Sequence, residues 1–455
     1  MPKLIINKLG PVETCELECS QFMNFTGFQA SGKSTIAKAI YYFRTIKDDI
    51  IELAKSQALD ATPVYGVKST LSIEHGITLR KALENYLREK FLRTFRSSWG
   101  MPNDMYMEYH FTKTCYVKIS LENDSRYSTP NYIWLTMSNE LIRFLKANNH
   151  TLSVTPLGIS EEDLRIFKKN LYEIFEDSCS VVYIPAGRSM ITLLSQQLSY
   201  IYATMDDMQK RSLDTCTKDY LERILRLKPE FSEGLQGLAY SSGRSGLSPR
   251  LVAQALDLTQ KILRGTYRYS NGEEQIVLED GKYVKINFSS SGQQECVWIL
   301  NLLFYYLVQQ KEILFIIEEP ESHLFPESQK YITELIALVN NCGHSIVLTT
   351  HSPYVLGTLN NLLYAKTISP QARKEANKII RESLWLDYNA FDSWFVKNGT
   401  IENCMDADIH MIQNEKIDEI SKVINEDFER LLEMKKNNRK THSKSIEKSS
   451  VKSYD

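Results

Sequence analysis

Eight residues near the N-terminus, Gly27-Phe28-Gln29-Ala30-Ser31-Gly32-Lys33-Ser34, fit the pattern G-x-x-x-x-G-K-[ST]. A turn of this kind needs a strand before it and a helix after it. Its backbone N–H groups then converge on phosphate oxygens at the helix N-terminus. Gly27 and Gly32 free the backbone for conformations that a side chain resists. Lys33 is spaced to reach β- and γ-phosphates, and the Ser34 hydroxyl to ligate Mg²⁺. Gln29, Ala30, Ser31 and Thr35 are candidate phosphate contacts beside them.

The flanks suit the motif. Phe22-Met23-Asn24-Phe25 is a short buried-strand pattern, and Ile36, Ala37, Ala39, Ile40 and Phe43 line one helical face. Far downstream, Ile313-Leu314-Phe315-Ile316-Ile317 has the composition of a central parallel strand and ends in Glu318-Glu319-Pro320-Glu321. Carboxylates at such a strand end sit where open α/β sheets bind ligands. Glu318 is the candidate for the Mg²⁺ shell, acting through water. Glu319 is the candidate to orient or deprotonate an attacking water.

Two further elements follow the same order. Ser289-Ser290-Ser291-Gly292-Gln293 opens a strongly apolar helix that runs to about Val308. Hydroxyls and free N–H groups at a helix start make an anion site, although the same residues also serve as an ordinary cap. Ser345-Ile346-Val347-Leu348-Thr349-Thr350 is another buried strand pattern, and it leads into His351. One helix separates it from the acidic strand, the spacing of one α/β repeat. The two strands are therefore expected to be neighbours, with His351 near the γ-phosphate.

As a set, these motifs resemble the ABC-type ATPase heads of the SMC and RecF group. Ser290, Gly292 and Gln293, with Ser291 between them, match the signature usually written LSGGQ; Glu318 to Pro326 is similar to the EEPE-x-HL-x-P of OLD-like ATPases; His351 matches the switch histidine. Glu318 stands where the general pattern has aspartate. No glutamine is firmly placed for the Q-loop, Gln196 and Gln197 being weak candidates. The resemblance implies an α/β fold: an ABC-ATPase head of two lobes, mixed sheet flanked by helices, with a helical insertion. It also implies ATP and Mg²⁺ as cofactors and slow hydrolysis. The partner implied is a second copy, whose Ser290 and Gly292 close on the γ-phosphate held by Lys33, in a homodimer or a higher homo-oligomer.

Composition sets bounds. The chain has 455 residues, 43% of them hydrophobic, enough for two or three domains, and a net charge of −2, which supplies no global field for nucleic acid. No apolar run approaches the ~18–20 residues of a membrane span. The start, Met-Pro-Lys-Leu-Ile-Ile-Asn, reads as a strand without signal-peptide layout. Eight scattered cysteines without a CxxC pair read as free thiols, so a cytoplasmic location is expected.

Residues 2–8 and 12–18 read as edge strands, 46–60 and 78–97 as helices, and 106–136 as an antiparallel sheet. The basic face of 78–97 (Arg80, Lys81, Arg88, Lys90, Arg93, Arg96) is either a solvated face or a nucleic-acid face. Breaks are expected at Ala61 to Gly66 and at 240–246. Arg188, after the strand Val181 to Ile184, either touches phosphate or the facing subunit, or satisfies carbonyls at its turn. Residues 189–265 read as helical without a sustained heptad. Asp280-Gly281 marks a hairpin that delivers the signature. A helix over 370–384, a strand pair near 393–403 and a helix over 415–434 are expected to close the fold.

The expected domains are 1–188 (N-terminal ATPase lobe), 189–268 (helical insertion), 269–366 (C-terminal lobe), 367–434 (closing α/β segment) and 435–455 (disordered basic tail). OLD-like proteins often carry a Toprim nuclease, which needs an early glutamate and a later D-x-D. Asp406-Ala407-Asp408 is a D-x-D, but Asn361 to Lys366 lacks the glutamate. The resemblance therefore points to a separate nuclease effector and a phage-protein trigger, as for ATPase subunits of PARIS antiphage systems, with Septu and retron-linked ATPases next. The alternative is a RecF-like repair ATPase that binds DNA directly. A transporter ATPase suits the acidic motif and the insertion poorly.

Overall fold

A computed structural model describes residues 1–60, 77–96, 100–122, 132–155, 158–192, 214–241, 247–309, 311–413, 423–432 and 434. Gln196, Gln197, the break at 61–66, residues 242–246 of the break expected at 240–246, and the tail lie outside these residues; Tyr240 and Ser241 still belong to a helix.

The chain begins with β1 (Lys3–Leu9), β2 (Val12–Glu18) and β3 (Phe22–Gly27), then α1 (Lys33–Arg44), α2 (Ile46–Asp60) and α3 (Leu79–Phe95). Next come β4 (Tyr106–His110), β5 (Tyr116–Glu122), β6 (Tyr132–Met137), α4 (Asn139–Ala147), the two-residue strands β7 (Val154–Thr155) and β8 (Gly158–Ile159), α5 (Glu161–Phe175) and β9 (Ser180–Ile184). Helices α6 (Thr215–Leu227), α7 (Gly234–Ser241) and α8 (Pro249–Leu263) lead into β10 (Thr266–Ser270), β11 (Glu273–Val277) and β12 (Tyr283–Lys285). The final run is α9 (Ser291–Gln309), β13 (Ile313–Glu318), α10 (Pro326–Asn341), β14 (Ser345–Thr349), α11 (Pro353–Thr367), α12 (Arg373–Ile379), β15 (Phe391–Lys397) and β16 (Thr400–Asn403).

The fold is α/β, with mixed sheets flanked by helices. One sheet has the order β16-β15-β3-β14-β13-β9, parallel except for β16 at its edge. A second, antiparallel sheet has the order β2-β1-β4-β5-β6. In the parallel strands, side chains alternate between two cores. Met23, Phe25, Leu314, Ile316 and Val347 join the core shared with the antiparallel sheet and α1 to α5. Phe22, Phe315, Ile317, Ile346 and Leu348 join the core shared with α9 to α11. This period of two, with both faces buried, explains the unbroken apolar runs in the sequence.

Several expectations need correction. β1 is not an edge strand, because β2 and β4 pair on either side of it. The Asp280-Gly281 hairpin forms as expected, β11 pairing with β12, and β10 adds a third strand beside β11. The helix expected over 370–384 shortens to seven residues that bury nothing, so no apolar contact supports a longer one. Residues 423–432 are helical but exposed throughout and do not close the fold. Residues 214–263 do not form a core of their own: Tyr220, Ile224, Ala255 and Ile262 share the core of α9 to α11. Lys38 on α1 pairs with Asp214 at 3.2 Å, and Tyr41 hydrogen-bonds Asp219, so α6 is tied to the helix that follows the glycine-rich turn.

Candidate functional site

Three neighbouring parallel strands, β3, β14 and β13, deliver the candidate residues at their C-terminal ends. That is the edge at which open α/β sheets bind ligands.

β3 ends at Gly27, whose φ is +137°, and Gly32 (φ +111°) stands at the start of α1. Both glycines are needed for space as well. A Cβ on Gly27 would lie 2.2 Å from the Val396 carbonyl oxygen, and one on Gly32 would lie 2.7 Å from Val12 Cγ2. No side chain caps α1, and no acidic residue occupies its first turn. Its leading N–H groups therefore remain donors with a positive field, suited to an anion. Phe28, Gln29, Ala30 and Ser34 are exposed, Thr35 half-buried and Ser31 buried.

Lys33 is buried and folded back into the turn. Its Nζ donates to the Gly27 oxygen at 3.0 Å and the Phe28 oxygen at 2.6 Å. Burial pushes its pKa down to about 8, against the opposing pull of Glu319 and Glu321. The ammonium therefore lies within the field of both carboxylates.

At the end of β13, Glu318 is buried. Its Oε2 accepts from the Ala186 N–H at 3.2 Å; Oε1 accepts no hydrogen bond of ordinary length, with the Tyr183 hydroxyl beside the carboxylate. A buried carboxylate oxygen left unpaired is costly unless something meets it. Glu318 and the exposed Ser34 hydroxyl are oxygen donors of the kind Mg²⁺ takes while keeping several waters. Glu319 follows in the left-handed region (φ +44°), its N–H donating to the Thr349 oxygen at 2.9 Å. Its Oε1 lies 3.3 Å from His351 Nε2, and Ser322 Oγ donates to its Oε2 at 3.2 Å. These partners, His351 first, hold its carboxyl below the usual glutamate range.

Sequence reasoning gave Glu321 no role. Its Oε1 accepts from Thr350 Oγ1 and from the His351 N–H, both at 2.7 Å, so it fixes the turn that aims the imidazole. Burial pushes this carboxyl up. The EEPE pattern made it visible, but the partners come from the neighbouring strand.

Ser290, Ser291, Gly292 and Gln293 stand at the start of α9. Ser290 and Gln293 form a reciprocal cap: Gln293 N–H donates to Ser290 Oγ at 3.3 Å, and Ser290 N–H donates to Gln293 Oε1 at 3.1 Å. Gln293 Nε2 also donates to the Leu263 oxygen at the end of α8. A Cβ on Gly292 would meet the His323 oxygen at 2.7 Å, so this turn packs against the acidic loop. Among the described residues, no hydrogen bond joins 290–293 to the glycine-rich turn of the same chain.

Arg188 satisfies carbonyls at its turn. It is wholly buried and donates to the oxygens of Pro185, Glu295, Glu318 and Glu319. The basic face of α3 is largely neutralised within the chain. Arg80 and Lys81 pair with Glu84, Arg93 with Glu89, and buried Lys90 with Asp49. Asp406 accepts from the N–H groups of Asp408 and Ile409, which closes a local turn. No helix among the described residues is long and apolar enough to cross a membrane.

Residues 1–356 match the family model of the AAA ATPase domain. A cytochrome c biogenesis ATP-binding export protein, CcmA, of Bartonella quintana (strain Toulouse) is 31% identical over 98 residues, 22% of this chain and 45% of that protein, less than half its length. Among solved structures, the SMC head domain from Thermotoga maritima matches at 13% identity over 88% of this chain and 97% of that one, with a TM-score of 0.34. An Smc head with an extended coiled coil, bound to the C-terminal domain of ScpA and derived from Pyrococcus furiosus, matches at 11% identity over 89% and 96%, with a TM-score of 0.37.

Proposed function

The chain belongs to the AAA ATPase domain family, and from that premise we propose that it binds ATP with Mg²⁺ and hydrolyses it slowly as a switch between two copies of itself. One observation carries this proposal: the glycine-rich turn, the Glu318-Glu319 corner and His351 stand at the C-terminal ends of adjacent parallel strands, with His351 3.3 Å from Glu319.

In this scheme the first-turn amides of α1 hold the α- and β-phosphates, and Lys33 leaves its carbonyl partners for the γ-phosphate. Ser34 and Glu318 would hold Mg²⁺, which when bound neutralises developing charge on the phosphoryl oxygens. Glu319, kept ionised by His351, orients or deprotonates the attacking water. Ser290, Ser291, Gly292 and Gln293 of a second copy present a helix N-terminus to the same γ-phosphate. The exposed Ser290 and Ser291, beside Phe288 at 80% exposure, support a face kept for that copy.

A mixing experiment tests the shared site. Chains with Lys33→Ala and chains with Ser290→Arg are each inactive under the proposal, but a mixed dimer regains one intact site and part of the ATPase activity. Failure of the mixture, with both variants folded, overturns the shared site.

The finer proposal rests on the OLD-like resemblance. The chain is a scaffold and sensor in an antiphage complex of the PARIS kind, holding a Toprim-type nuclease until a phage protein releases it. The missing glutamate in 361–366 and the local engagement of Asp406 support a nuclease supplied by another chain. Affinity capture from the native host tests it. Recovery of a nuclease in the uninfected cell is expected; capture with DNA alone, and DNA-stimulated turnover, supports the RecF-like alternative.

A further inference from the structure

Arg188 joins two parts of the chain that the sequence keeps far apart. Its guanidinium is wholly buried. Nη1 donates to the Pro185 and Glu318 oxygens, both at 2.6 Å, and Nη2 to the Glu319 oxygen at 2.9 Å. Nε donates to the Glu295 oxygen at 3.1 Å, and Nη2 pairs with Glu295 Oε1 at 3.1 Å. Glu295 in turn is 1% exposed and accepts from the N–H groups of Arg188 at 2.9 Å and Ser189 at 2.6 Å.

This is an unusual use of buried charge. A lone buried guanidinium is very costly, and even a buried pair often breaks even with an apolar replacement. Here the planar fork is filled by carbonyls and one carboxylate, a geometry that lysine cannot copy. Two of those carbonyls belong to Glu318 and Glu319. Glu319 sits in the left-handed region, a conformation that persists only where its surroundings over-determine it. Arg188 on its oxygen and the Thr349 oxygen on its N–H hold it from both sides. The other end of the strut, Glu295, lies on the first turns of α9, next to Gly292 and Gln293.

We propose that Arg188 is a positioning residue that couples the start of α9 to the Glu318-Glu319 corner, so that whatever engages Ser290 and Gly292 sets the aim of the Glu319 carboxylate. The proposal rests on the ATPase reading above. Arg188 does not touch substrate. It fixes the backbone from which the carboxylates project, and displacement of a reacting group by about 1 Å costs up to about a hundredfold in rate.

The experiment uses the full chain, wild type and Arg188→Lys, with three readouts: thermal melting, affinity for a fluorescent ATP analogue, and kcat. The lysine keeps the charge beside Glu295 but loses the fork. The expected result is kcat lower by about ten- to a hundredfold with affinity within about threefold of wild type. Unchanged kcat, or affinity falling in step with kcat, overturns the proposal. If Arg188→Lys does not fold, Glu295→Gln decides. It removes the charge and one of the two acceptor oxygens, while the Glu295 backbone oxygen keeps its bond from Arg188 Nε. The link to α9 weakens, so kcat drops by about three- to tenfold without loss of affinity; an unchanged kcat overturns the coupling. A wild-type chain that binds ATP but never hydrolyses it removes the premise itself. A wild type that turns over with an equally fast Arg188→Lys removes this inference alone.

Discussion

The imidazole of His351 stands 3.3 Å from the Glu319 carboxylate, each at the end of its own parallel strand. Glu321 holds the His351 N–H, so the pair is set by three residues. His351→Ala frees the Glu319 side chain and removes its main stabilising partner. The expected result is a kcat lower by about ten- to a hundredfold with ATP affinity nearly unchanged. Steady-state phosphate release with parallel binding titrations checks it.

Lys33 is buried, and burial lowers its pKa to about 8. In Lys33→Ala the nucleotide-free protein should melt within about 1 kcal/mol of wild type, because the lost carbonyl bonds are offset by relief of a desolvated ammonium. The stabilisation that ATP gives to wild type, about 2.7 kcal/mol at a hundredfold excess over Kd, should vanish. Thermal melting with and without ATP·Mg²⁺ reads both effects.

Gly27 has no room for a side chain, because Val396 of β15 fills the place. Gly27→Ala must move β15 or strain the turn, at a cost of about 2–5 kcal/mol. Gly343 (φ +97°) has nothing within 4 Å of its Cβ direction. Gly343→Ala should therefore cost only the backbone strain, about 1 kcal/mol. Urea titrations of the two variants separate crowding from conformation.

His344 gives the fold an acid limit. It is 2% exposed, its Nδ1 has no partner, and its ring lies 5.6 Å from that of Phe315. Burial pushes its pKa down to about 4 from 6.5. The folded ring therefore stays neutral while the unfolded ring takes a proton. Its contribution is complete above about pH 6.5 and is lost as pH falls from there through about 4, by at most about 3 kcal/mol. His344→Phe should flatten the stability profile between those pH values in denaturant titrations.

The parts of the site legible in the sequence are those built from local pattern. β3, β13 and β14 announce themselves because burial on both faces demands unbroken apolar runs, and each run stops at a chemically distinctive residue. The spacing of one α/β repeat placed β13 beside β14. Illegible were the features that depend on distant partners. β10 reads Thr266-Tyr267-Arg268-Tyr269-Ser270, an alternation as consistent with the end of a helical stretch as with a strand, and only its pairing with β11 decides. Gly292 looked like a signature residue, yet its lack of a Cβ is also required by His323. Arg188 and Glu295 lie 107 positions apart, and no periodicity connects them.

The central claim is that two copies close on ATP and that Glu319 turns it over. Its most direct test is Glu319→Gln, read by light scattering and by nucleotide retention after mixing with ATP and Mg²⁺. The claim predicts a particle at least twice the monomer mass, with ATP retained unhydrolysed, whereas wild type releases phosphate and separates. Wild-type turnover by Glu319→Gln, or ATP bound to a persistent monomer, contradicts it.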